Sequence, residues 1–145
     1  MSWIVGKIKG IMLVSGVLTC TMIYAAIAPA AAIRSTFGVS LDEPAALIVV
    51  RNWGALIALV GAMLVYGAYN PGSRPLVLGV AGASKLVFIG LVLAEGGKYL
   101  GYQAGVAVAI DLLTVVLFAT YLARTRPWAP AANPLPPRST RERRG

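Results

Sequence analysis

Apolar residues fill this chain in four long blocks separated by short polar stretches. A bilayer core takes about 20 predominantly apolar residues per helix, at about 1.5 Å of rise each. The first block, GIMLVSGVLTCTMIYAAIA over residues 10–28, carries no charge and ends before Pro29. The second covers residues 44–69 and follows SLDEP, where Ser40 and Glu43 have capping-box spacing and Pro44 suits a first helical turn. It stops before the turn NPGSRP. The third, residues 75–94, is interrupted once, by Lys85, and the fourth, residues 104–123, once, by Asp111. The pattern predicts an all-α fold: an integral membrane, antiparallel four-helix bundle over residues 10–123, preceded by a short segment, residues 1–9.

Composition removes most other classes. A hydrophobic content of 58% and a mean hydropathy of +0.77 lie outside the soluble range. One cysteine, Cys20, and no histidine exclude an intrachain disulfide, a Cys/His zinc site and a histidine-based triad. No catalytic residue, metal site or cofactor is assigned. The net charge of +8 gathers at the chain ends instead of along an aromatic-studded groove, which argues against nucleic acid.

Those charges read as a topology signal, because cytoplasmic flanks carry excess Lys and Arg. Lys7, Lys9, Arg74, Arg124 and Arg126 fall on one side, with four more arginines in the tail; Arg34 and Lys98 fall on the other. Both termini are therefore expected in the cytoplasm, in a bacterial-type inner membrane. Residues 124–145, RTRPWAPAANPLPPRSTRERRG, are rich in Pro and Arg, which predicts a solvated, disordered tail drawn to anionic lipids. A lysine-flanked apolar stretch followed by AAIAPAAA also has the form of a signal peptide, whose removal would leave three helices. The apolar run is longer than a usual signal core and favours a retained helix.

The interrupting charges are the candidate site. Arg51 lies seven residues into the second span and Asp111 seven into the fourth, each about 10 Å below the outer boundary. Lys85, ten residues into the third, is about 15 Å from either side. Each costs about 2.5–3.5 kcal/mol at mid-helix, which the apolar residues of its span offset. Ionisable residues in spans usually face the bundle interior and pair with one another. The expected arrangement is therefore Asp111 bridged to Lys85, Arg51 or both, with Asn52 beside them. Ser15, Thr19, Tyr24, Trp53, Ser84 and Thr114 are the expected lining. Gly54, Ala58 and Gly61 recur at helical spacing from Arg51, which lets helices approach closely. Gly97, Gly101 and Gly105 have the spacing of a second packing seam.

The stretches STFGVSLDEP and VRNWGALIALVGAMLVYGA, with a carboxylate early in the fourth span, resemble the small four-helix bacterial membrane proteins grouped as DoxX-like. That resemblance implies an accessory role near quinone or redox enzymes. Small multidrug exporters depend on a glutamate in the first span, where this chain has no carboxylate. The sequence thus points to a non-catalytic accessory subunit or scaffold of a larger membrane complex. The alternative is a protein that binds a quinone or anionic ligand, or couples transport to an ion, through surplus positive charge at the cluster.

Overall fold

The computed structural model describes residues 3–125. Met1, Ser2 and residues 126–145, which include Trp128, most of the basic tail and its PLPPR stretch, lie outside the described residues. The elements in chain order are α1 (Trp3–Cys20), α2 (Ile23–Ile27), α3 (Pro29–Phe37), α4 (Pro44–Tyr69), a 3-10 turn (Pro71–Ser73), α5 (Arg74–Ala94) and α6 (Gln103–Thr125). There is no strand among the described residues. Trp3–Ile27, Pro44–Tyr69, Pro71–Ala94 and Gln103–Thr125 are long and apolar enough to cross a membrane. Their outward residues, such as Val14, Leu59, Leu86 and Leu113, are large, apolar and exposed. That surface suits lipid and not water.

Three boundaries differ from the pattern-based expectation. Residues 3–9 belong to α1 and are not a separate segment. The helix cap before α4 is Glu43, in an extended conformation with no side-chain cap bond, so Ser40 and Glu43 do not form a capping box. A proline disfavours helical backbone in the residue before it, and Pro44 therefore fixes the helix start at itself. Residues 29–37, read as loop, form α3: Pro29 occupies the first turn, an alanine run follows, and Gly38 closes the helix at φ 71°. Ala32 and Ile33 are its buried face.

Helices α1 and α2 lie along α4 through small residues. The contact runs from Ala25 against Gly54, through Cys20 and Gly16 against Gly61, to Met12 against Gly67. A Cβ on Gly61 would stand 2.6 Å from the Cys20 nitrogen and 2.8 Å from the Gly16 carbonyl oxygen, so main chain meets main chain there. The expected seam at Gly97, Gly101 and Gly105 is not one. Gly97 has φ 78° in the turn between α5 and α6, Gly101 faces open space, and Gly105 sits against the backbone of Leu100. These glycines shape a connection, because they do not share a helix.

The interior is layered. At one end Ile8, Met12, Leu64, Leu78 and Phe118 form an apolar core that includes Tyr121. At the other, Ala25, Ala32, Ile33 and Val50 form a second core, against which Phe37 and Trp53 pack. Ser15 and Thr19 fall between the two along α1, and with Lys85 of α5 and Thr114 of α6 they are the buried polar residues.

Candidate functional site

The centre of that polar layer is an ion pair. Lys85 Nζ donates to Asp111 Oδ1, joining α5 to α6 with both side chains largely withdrawn from solvent. Lys85 Nζ also stands 3.5 Å from Thr19 Oγ1 on α1, so three helices converge on one ammonium. Ala81, Lys85 and Ile89 recur at four-residue spacing on the buried face of α5, which turns the lysine inward. Asp111 shares its face with Gln103 and Ala107. Burying two charges costs several kcal/mol per ion in hydrocarbon, and only pairing makes the arrangement tolerable.

The pair opens onto a cavity of about 450 Å³ among α1, α3, α4, α5 and α6. Its polar lining is made by Ser15, Thr19, Thr21, Thr36, Ser84 and Gln103 besides the two charges; Trp53 and Phe88 are its aromatic members. Lys85 and Asp111 are the ionisable residues of that lining, so its formal charge is zero. Among the described residues no buried side-chain nitrogen or oxygen lacks a partner. With Oδ1 of Asp111 on the lysine, the side chain keeps 17% of its surface accessible and is part of the cavity lining.

Arg51 is elsewhere. Its Nη1 donates to the carbonyl oxygens of Ala26 at 2.7 Å and Ile27 at 3.3 Å. The local sequence explains this. Helix α2 ends at Ala28, with φ −126° and ψ 68°, and Pro29 has no amide hydrogen to offer the carbonyls behind it. Backbone groups left open in a bilayer must be satisfied within the protein, and Arg51 does so. Arg74 has the same task at the end of α4, donating to Gly67 at 3.1 Å and Ala68 at 2.8 Å. Of the pairings expected for Asp111, with Lys85, Arg51 or both, the structure has the first: Lys85 holds the carboxylate, and Arg51, expected in the same cluster, caps a helix instead.

The remaining expected residues divide. Ser15, Thr19, Trp53 and Ser84 line the cavity. Thr114 is buried one turn away but turns its hydroxyl to the Ile110 carbonyl at 2.8 Å. Tyr24 and Asn52 are exposed and lie outside the lining. Gln103, Thr36 and Phe88 were not anticipated. Helical spacing from Asp111 to Gln103 and from Ser84 to Phe88 carries the signal for two of them; Thr36 depends on α3, which the pattern did not reveal.

A second cavity of about 570 Å³ adjoins the first and shares Trp53 and Phe88 with it. Ile33, Val50, Leu91 and Val92 make it mostly apolar, and Glu95 is its one ionisable carboxylate. Phe37 and Tyr99 stand at its edge with ring centroids 5.3 Å apart and planes at 78°. Outside the spans, Lys98 pairs with Glu95 and lies 4.8 Å from the centre of the Tyr99 ring. The hydrogen bond to Glu95 holds the Lys98 ammonium above its ordinary pKa.

Fold and site together define a multi-helix protein with four bilayer-length apolar helices and a mostly apolar cavity that meets a buried ion pair. No family model, curated protein or solved structure matches the chain.

Proposed function

We propose that this chain is a multi-pass membrane protein of the bacterial inner-membrane type that binds a small molecule through a polar group held at the Lys85–Asp111 pair. One observation carries the reading: a buried ion pair that touches a cavity instead of being enclosed by packing. A pair serving only helix register is better sealed than opened. Ligand sites are concave, mostly apolar and fitted with a few converging polar groups, in volumes of about 300–1,000 Å³. The test is native mass spectrometry of protein extracted with its surrounding lipid. A bound small molecule is expected on the wild-type chain and absent from the K85M/D111L double variant; identical spectra overturn the reading.

The long helices are antiparallel in this reading, with both termini in the cytoplasm. The register of α1 on α4 supports the first part. The shared core of Ile8, Ala68, Val77 and Tyr121 supports the second, because it gathers the neighbouring Lys7, Lys9, Arg74 and Arg124 at one end. A membrane-impermeant maleimide applied to intact cells should label Lys98→Cys and spare Gly72→Cys, both in a Cys20→Ala background. Reversed labelling inverts the topology.

An accessory role in a larger complex, which the DoxX-like resemblance also implies, is supported by a different feature. A Cβ at Gly79, Gly82 or Gly90 of α5 meets no atom within 4 Å. Small residues on an outward face let a neighbouring helix approach closely. Co-purification of a partner that is lost on Gly79→Leu tests this role independently of the cavity.

A further inference from the structure

The two cavities share Trp53 and Phe88, and apolar side chains make most of both linings. The inner one adds the ion pair and several hydroxyl and amide side chains; in the outer one the polar members are Tyr99 and Glu95, which is paired with Lys98. Together, at about 450 and about 570 Å³, they reach the upper end of the range of about 300–1,000 Å³ that small-molecule sites occupy. A ligand filling both must itself be polar at one end and oily at the other.

The charge balance narrows the polar end. An anion would require a cation free of its own counter-ion, but Lys85 is engaged by Asp111 and Arg51 lines neither cavity. A cation would have to displace Lys85 from the carboxylate. A neutral group that both donates and accepts meets neither obstacle. It can donate to the Asp111 carboxylate and the hydroxyls, and accept from Lys85 and Gln103. The apolar end then has Ile33, Val50, Phe88 and Val92 beside it.

We propose that the two adjoining cavities act as one site for a neutral single-chain amphiphile, with its hydroxyl- or amide-bearing head at Lys85 and Asp111 and its chain passing Trp53 and Phe88 into the chamber lined by Ile33, Val50 and Val92. This rests on the reading of the inner cavity as a ligand site and names the ligand's class.

Trp53 reports on the junction. With Trp3→Phe and Trp128→Phe it becomes the single tryptophan, in protein reconstituted into phosphatidylcholine nanodiscs. The probe is a monoacylglycerol brominated at mid-chain; the comparators are its free acid and its methyl ester, which lack the neutral donor head. Saturable quenching is expected from the monoacylglycerol at a mole fraction at least tenfold below either comparator. It should disappear in K85M/D111L, which removes both charges together and so keeps the fold, and weaken severalfold with Val49→Phe, at the chamber wall. Equal quenching by all three probes, or quenching indifferent to both variants, overturns the amphiphile. If the bound molecule seen by mass spectrometry still depends on Lys85 and Asp111, that result sinks the amphiphile alone; if it does not, the ligand site falls as well.

Discussion

Arg51, on α4, donates to the carbonyl oxygen of Ala26 at 2.7 Å, across the gap to the end of α2. The most conspicuous charge in the second span therefore serves the backbone of the first. Arg51→Met leaves the Ala26 and Ile27 carbonyls unsatisfied, which costs about 1–3 kcal/mol where water is scarce. We expect faster amide hydrogen exchange across Ile23–Ile27 and little change in α5 and α6. Arg51→Lys should fall between, since one ammonium can still reach a carbonyl. Uniform exchange in wild type and Arg51→Met would show that the cap carries no energy.

Lys85→Met and Asp111→Asn each strand a buried partner. Breaking a buried pair from one side costs about 3–5 kcal/mol, whereas replacing both charges by apolar groups of similar size is neutral or stabilising by about 1–4 kcal/mol. Thermal unfolding in detergent should therefore show two weakened single variants and a double variant, K85M/D111L, at or above wild type. Additive losses would mean that the two residues do not act on each other.

Gly61→Ala should weaken the packing of α1 on α4 by about 1–3 kcal/mol, because the added methyl would meet main-chain atoms of Gly16 and Cys20 that cannot rotate away. Gly90→Ala is the matched control. Its Cβ meets open space, and alanine gains up to about 1 kcal/mol of helix propensity over glycine. Equal effects on the unfolding midpoint would refute the close-contact account.

Lys98 has a raised pKa because its ammonium is hydrogen-bonded to Glu95. A raised folded-state value means that the contact's contribution is complete below the ordinary lysine pKa and disappears as pH climbs through the raised one. The prediction is that Glu95→Gln moves the Lys98 side-chain titration downward by NMR. No displacement of Lys98 would remove the pair as its cause.

Much of the architecture was legible because bilayer-length apolar runs have few alternatives. Four spans follow from length and hydropathy, and the structure has four such helices. Depth counting also brought Lys85 and Asp111 to a common level, since a regular helix converts residue number into height. The same counting misplaced Arg51. Its partners are carbonyls freed at Ala28, and a helix break leaves no hydropathy signature. Helix α3 was overlooked for a related reason: PAAAIRSTF is too short and too polar for a span, yet Pro29 and Gly38 mark its two ends. The cavity depends on how several helices lean together, and no single helix records that.

The division of the ion pair between α5 and α6 shapes how this protein can change over time. Every route from the pair to an uncharged interior passes through a chain with one stranded charge, so two substitutions that are harmless together are each harmful first. The position is locked by its own electrostatics. Persistence of Lys85 and Asp111 through descent would consequently speak for Coulomb's law before it spoke for any ligand, whereas Gln103 and Ser84, free of that lock, are the residues whose drift or constancy would reveal what the cavity holds.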